Sequence, residues 1–137
     1  YYLYKKKNSF KHLIYPLPNS NGHGIHAGMD IENNLRFGPN AKWVDSIEYS
    51  FDENTLDEFC NSIKSYWINF DPSCLTPDYT GIRSKTVAEG EGSQDFEILD
   101  ASDHGLENLI HLQGIDSPGL TSSLSIAAEV MSKLGIH

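Results

Sequence analysis

Gln113-Gly114-Ile115-Asp116-Ser117-Pro118-Gly119-Leu120-Thr121 joins a short apolar run to an amphipathic segment, and its reading decides the fold. Upstream, residues 108–115 carry Leu109, Ile110, Leu112 and Ile115, the pattern of a short buried strand. Downstream, Leu120, Leu124, Ala127, Met131 and Leu134 recur at helical spacing, and Gly135 stands where a helix would close. Gly114, Gly119, Pro118 and the hydroxyls of Ser117 and Thr121 lie around the junction. A helix opening here offers unpaired N–H groups and the positive end of its dipole, which stabilise an electron-rich ligand oxygen. The same residues also suit an ordinary capped turn, because a lone glycine pattern is weak evidence.

Working back from that junction, residues 103–105 read as a loop, and residues 95–99 as a short strand with Phe96 and Ile98 on one face. Glu89-Gly90-Glu91-Gly92-Ser93 reads as a flexible turn or lid with no chemistry of its own. Residues 79–87 read as a strand whose period puts Gly81, Arg83 and Lys85 on one face. Two cations beside a glycine suit carboxylate capture, with Arg83 making a bidentate contact and Lys85 adding a point charge. They equally suit an exposed face paired with acidic neighbours.

A helix is expected from Asp52, its N-cap, with Leu56, Phe59, Cys60, Ile63, Tyr66 and Trp67 as its apolar stripe. Asp71-Pro72 breaks it, and Thr76-Pro77 continues a loop. Cys60 therefore belongs to the core. Two hairpins are expected earlier. One joins a strand at 13–18 through the turn Asn19-Ser20-Asn21-Gly22 to a strand at 24–30, and the other turns at Asn33-Asn34 into Leu35-Arg36-Phe37-Gly38-Pro39-Asn40. Along 24–30, Ile25, Ala27 and Met29 share one face and His26, Gly28 and Asp30 the other. His26 thus either faces a pocket that Gly28 leaves open for a ligand, or is a hydrogen-bonded sheet histidine. His23 and His26 point to opposite faces, and no third ligand stands at metal spacing, so a zinc site is rejected. Tyr1 to Tyr4 form a short aromatic segment, and Lys5, Lys6 and Lys7 a solvated basic turn.

The 137 residues suit one domain, or one and a part. Lys and Arg number 10 against 19 Asp and Glu, and the net charge of −9 argues against nucleic acid or an anionic membrane as partner. No apolar run reaches membrane-spanning length. Two cysteines make no disulfide framework and suit a reducing intracellular compartment, cytoplasmic or mitochondrial. The motifs of serine hydrolases, nucleoside triphosphatases and zincins are absent, as is the Gly-x-Gly-x-x-Gly unit of a dinucleotide site.

Five segments occur together in one family: His12-Leu13-Ile14-Tyr15-Pro16-Leu17-Pro18, Gly24-Ile25-His26-Ala27, Leu35-Arg36-Phe37-Gly38-Pro39-Asn40, Tyr79-Thr80-Gly81-Ile82-Arg83 and Gly114-Ile115-Asp116-Ser117-Pro118-Gly119-Leu120-Thr121. In their order and spacing the chain resembles the C-terminal part of FAD-dependent oxidoreductases of the D-amino-acid oxidase superfamily, and within it the L-2-hydroxyglutarate dehydrogenase family. That family usually places proline after the Gly-Ile-Arg arginine, where this chain has Ser84.

The resemblance implies an α+β fragment of a larger two-domain flavoenzyme. Residues 1–101 would form a mostly antiparallel substrate-domain sheet with flanking helices, and residues 102–137 a strand and helix of the FAD-binding domain. It implies hydride transfer from a small 2-hydroxy acid to FAD. Ser117, Gly119, Leu120 and Thr121 would face the flavin, Arg83 with Lys85 would hold the substrate carboxylate, and His26 would serve as catalytic base. The half that binds the adenosine and pyrophosphate of FAD is not in this sequence, so the chain alone is expected to bind FAD poorly and not to turn over. An apolar face left open would drive self-association. The alternatives are a non-catalytic acidic binding module, or a related flavoenzyme acting on an amino acid or glycerol phosphate.

Overall fold

A computed structural model describes residues 1–17, 24–92 and 94–136. The chain is α+β, with antiparallel sheets and a few helices. It divides into two compact units, Tyr1–Gly81 and Ile82–His137. This is a division by packing, whereas the one expected at 101/102 is a division by role.

The first unit is built on β1 (Tyr2–Tyr4), β2 (His26–Met29), β3 (Leu35–Gly38), α1 (Leu56–Lys64) and β4 (Leu75–Pro77). The strands form one antiparallel sheet in the order β2-β3-β1-β4. The aromatic segment at the start is therefore a central strand, paired on both edges. The segment read as a loop through Thr76-Pro77 is an edge strand. Alternation along β1 and β3 sends Tyr2, Tyr4, Leu35 and Phe37 to one face, where Ile25, Ala27 and Leu75 join them. Phe59, Cys60 and Ile63 of α1 cover that face, with Trp67 and Phe70 beyond the helix. Tyr2 meets Phe59 at 4.7 Å and Tyr4 meets Trp67 at 5.0 Å between ring centroids, so the core is largely aromatic.

The expected helix is present but shorter. Asp52 caps a single 3-10 turn, Glu53–Thr55, by accepting the Asn54 N–H, and the α-helix follows from Leu56. Tyr66 and Trp67 lie past its end; Tyr66 donates its hydroxyl to the Ile25 carbonyl at 3.0 Å. Among the described residues of the strand expected at 13–18, one antiparallel bridge forms, Ile14 with Ala27. Its turn, 19–22, lies outside the described residues, as does His23. The second hairpin is as expected, with Asn33 in the left-handed region at φ 65°.

No strand forms at 79–87 among the described residues, although its composition suits one. Strand propensity describes fit to a sheet surface, and this segment pairs with no neighbouring ladder. Arg83 and Lys85 therefore do not share a strand face.

The second unit holds β5 (Glu97–Leu99), α2 (Ala101–His104), β6 (His111–Gln113) and α3 (Ser123–Lys133). β5 and β6 pair antiparallel, Ile98 opposite Leu112. The expected loop at 103–105 is instead the end of α2. Asp100 and Asp103 form a reciprocal capping box at its start, and Gly105 closes it at φ 76°. The strand expected to be buried is not: Leu109, Leu112 and Ile115 are all exposed. Apolar periodicity marks a face able to be covered, and nothing in this unit covers it. The same holds for α3, which buries no residue and leaves Leu124 86% exposed. α3 begins at Ser123, later than the junction suggests, after turns running from Ser117 to Ser122. It ends as predicted: Gly135 adopts φ 68°, and the Ile136 N–H reaches back to the Met131 carbonyl. No helix among the described residues is long and apolar enough to cross a membrane.

Candidate functional site

The open face of the first sheet carries the polar half of the β2 alternation. His26 lies opposite Gly38 and Gly28 opposite Arg36 in the β2–β3 ladder. A cavity of about 230 Å³ stands over this face, lined by His26, Gly28, Arg36, Tyr1, Tyr15 and Tyr79 among others. A Cβ on Gly28 would meet only the Arg36 carbonyl oxygen, at 3.9 Å, so the space above it is open. Gly38 differs: a Cβ there would strike the Tyr1 ring at 2.6 Å. Tyr15 and His26 pack edge to face, with 4.4 Å between ring centroids.

Arg36 is held from two sides. Its Nε lies 2.8 Å from Asp78 Oδ2 and its Nη2 3.4 Å from Asp30 Oδ2. Neither Nε nor that Asp78 oxygen completes a hydrogen bond, so the closer contact is an off-axis ion pair. The guanidinium also lies over the Tyr79 ring, 5.8 Å from its centroid, and Tyr79 stacks on Tyr1 at 4.7 Å. Asp30 is committed to the hairpin turn, where it accepts the N–H groups of Glu32 and Asn34 and the Asn34 side chain. The Asn34 side chain above all, then the backbone donors, hold its carboxyl below the ordinary range.

The second unit contains the other two predicted groups. Lys85 Nζ lies 2.6 Å from Asp116 Oδ2, and Arg83 Nε 3.7 Å from the same oxygen. The Lys85 hydrogen bond above all lowers the Asp116 carboxyl; desolvation opposes it, and the charges of Lys85 and Arg83 add to the lowering. Both cations thus converge on an internal carboxylate, with the Arg83 side chain 54% exposed. His26 belongs to the first unit, and Arg83, Lys85 and the junction residues to the second.

At that junction Gly119 is buried, and a Cβ on it would lie 2.6 Å from the Asp116 carbonyl oxygen and 2.7 Å from Ile115 Cγ2. The turn therefore needs glycine for closeness and not for a positive φ. The Gly119 N–H donates to the Asp116 carbonyl, and the hydroxyls of Thr121 and Ser122 donate to the Pro118 carbonyl at 2.9 and 3.0 Å. Ser117 is exposed at the start of the turn, and Leu120 stands 90% exposed. The Leu120 and Thr121 N–H groups have no acceptor among the described residues. With the Ser117 N–H and hydroxyl, which likewise donate to no acceptor among the described residues, these are the donors left for a ligand; the Gly119 N–H and the Thr121 hydroxyl are committed within the turn.

Sequence reasoning missed Arg36, Asp78 and the tyrosines around the cavity. The signal for Arg36 was present: Leu35 and Phe37 are apolar, so Arg36 must face the other way, toward the side that holds His26.

An imidazole, a guanidinium and aromatic rings over the open face of an antiparallel sheet define an α+β site for a small polar molecule. Comparison with known proteins gives that class its family. The sequence matches the family described as FAD dependent oxidoreductase over residues 1–133, and the chain belongs to that family. It is 33% identical to the mitochondrial L-2-hydroxyglutarate dehydrogenase of Arabidopsis thaliana, covering 93% of this chain and 29% of that protein. It is 29% identical to glycerol 3-phosphate oxidase of Mycoplasma genitalium, covering 99% of this chain and 35% of the relative. Glycerol 3-phosphate dehydrogenase of Caloramator mitchellensis is 30% identical, with coverage of 98% and 27%. The chain therefore spans about a third or less of the length of these relatives.

FAD is the cofactor that this family uses. The two unpaired N–H groups of Leu120 and Thr121 fit the electron-rich edge of a flavin ring, where they would stabilise negative charge.

Proposed function

We propose that this chain is the C-terminal part of an FAD-dependent dehydrogenase or oxidase acting on a small 2-hydroxy acid of the L-2-hydroxyglutarate type. The observation that carries this reading is the 33% identity, over 93% of the chain, with a protein named for that activity. Residues 1–101 supply the substrate side and residues 102–137 the strand and helix of the FAD-binding part. The compartment of the plant relative makes a mitochondrial location the leading expectation.

FAD, when bound, supplies the acceptor for the hydride that leaves the substrate's C2. The residues of this chain do the rest. His26 takes the hydroxyl proton on a ring nitrogen, so that the C–O bond becomes a carbonyl as the C2 hydrogen departs with its electron pair. Arg83 serves as the anchor for a substrate carboxylate, with Lys85 adding charge, and Asp116 pairs with both cations. The turn at Ser117, Gly119, Leu120 and Thr121 presents its free N–H groups to the flavin.

A second reading has its own support, since two relatives at 29% and 30% identity are named for glycerol 3-phosphate. The deciding experiment is to express the complete coding sequence, record flavin absorbance, and follow reduction of an artificial acceptor dye. A yellow protein that reduces dye with L-2-hydroxyglutarate and not with glycerol 3-phosphate supports the first reading. The reverse preference supports the second. A colourless protein inert to both overturns both and leaves the binding module.

A further inference from the structure

Arg36 lines the same cavity as His26, and the reaction just described gives it no part. It lies opposite Gly28 in the ladder, and the bare sheet surface at Gly28 keeps open the space beside the imidazole, two residues away along β2. The guanidinium is fixed before any ligand arrives, by Asp78 at Nε, by Asp30 at Nη2 and by the Tyr79 ring beneath it. A fixed fork loses less freedom on binding an anion than a free side chain does. The ion-pair contacts use Nε and Nη2, and no hydrogen bond engages Nη1 among the described residues. The acidic groups that face it are Asp30 and Asp78, and Asp30 already accepts three N–H donors from its own turn. A planar donor edge is left, of the kind that recognises a carboxylate or phosphate.

We propose that Arg36 binds an acidic group of the substrate remote from the carbon at which His26 acts, and so makes the enzyme selective for substrates bearing that group. The inference rests on the reading of the His26 cavity as the substrate site. The remote group is a carboxylate in a hydroxy diacid and a phosphate in glycerol 3-phosphate, and one chemistry serves both.

The test uses the complete enzyme and two substitutions, Arg36→Gln and Arg36→Lys. Binding is measured by calorimetry for glutarate against butyrate, and for glycerol 3-phosphate against glycerol. Turnover is measured for L-2-hydroxyglutarate against L-2-hydroxybutyrate. Arg36→Gln should weaken binding of the charged member of one pair about tenfold or more and raise its KM to match. Its kcat and the uncharged member should stay within about twofold. Arg36→Lys, which keeps the charge and loses the fork, should fall between. Loss confined to glutarate identifies a carboxylate as the recognised group; loss confined to glycerol 3-phosphate identifies a phosphate. Equal weakening of both members of the affected pair, or weakening of no member of either pair, overturns the role. Should Arg36→Gln not fold, Arg36→Lys carries the test alone through the same ratios. A wild-type enzyme that oxidises neither hydroxyglutarate nor glycerol 3-phosphate overturns the cavity reading itself. A wild type that oxidises one of them, with a variant that keeps the full preference for the charged member, overturns only Arg36.

Discussion

Single substitutions separate the roles proposed for His26 and Arg83. In the complete enzyme, His26→Ala should lower kcat by about a hundredfold or more while KM changes little, because a positioned base acts in the transition state. Steady-state kinetics check this, and normal turnover would end the role. Arg83→Ala should do the opposite. It removes a binding contact while Lys85 remains on Asp116 at 2.6 Å, so KM should rise about tenfold with kcat nearly kept. An unchanged KM would leave Arg83 as a partner of Asp116 alone. At this scale the sequence was partly legible. Alternation placed His26, Gly28 and Asp30 on one side of a strand, and all three line the cavity. Arg36 escaped because its importance comes from the neighbours it meets across strands and from Asp78, 42 positions on.

Among the elements, the turn before α3 is the most constrained. Gly119→Ala would drive a methyl into the Asp116 carbonyl and Ile115, neither of which yields easily, so it should destabilise the protein by about 1–3 kcal/mol. Thermal or denaturant unfolding measures it, and an unaltered midpoint would show that the turn relaxes. Helix periodicity located α1 and α3, and Gly135 their clearest boundary, because side-chain spacing and a left-handed cap are local properties. Short strands were harder. β1 and β4 have three residues each, too few for a visible alternation, and exist because β1 finds partners on both edges. Residues 79–87 have the better strand composition and no ladder.

For the molecule as a whole, acid is the informative variable. Asp52, Asp71, Asp100 and Asp116 are lowered chiefly by hydrogen bonds from Lys42, Lys6, Lys133 and Lys85, and Asp30 by Asn34. A carboxyl whose folded pKa is depressed contributes stability above its unfolded value, and that contribution is lost as pH falls through the folded value. Stability should thus be level above the ordinary value of 3.8 and decline below it. Circular dichroism during acid titration checks this. A decline that begins well above pH 4, where these groups are ionised in both states, would assign acid sensitivity elsewhere.

By itself the sequence determined the family, the second hairpin, and the helices α1 and α3, with Phe59, Cys60 and Ile63 as core residues of the first. These follow from motifs, charge and side-chain periods, which are read along the chain. Only the tertiary structure decided that an aromatic segment at the start is a central strand, that Arg83 and Lys85 meet on Asp116, and that the apolar faces of β6 and α3 stay exposed. It also brought Arg36 into the cavity with His26. Such facts depend on which backbone edges pair and which side chains meet across long separations, and no local pattern encodes a partner.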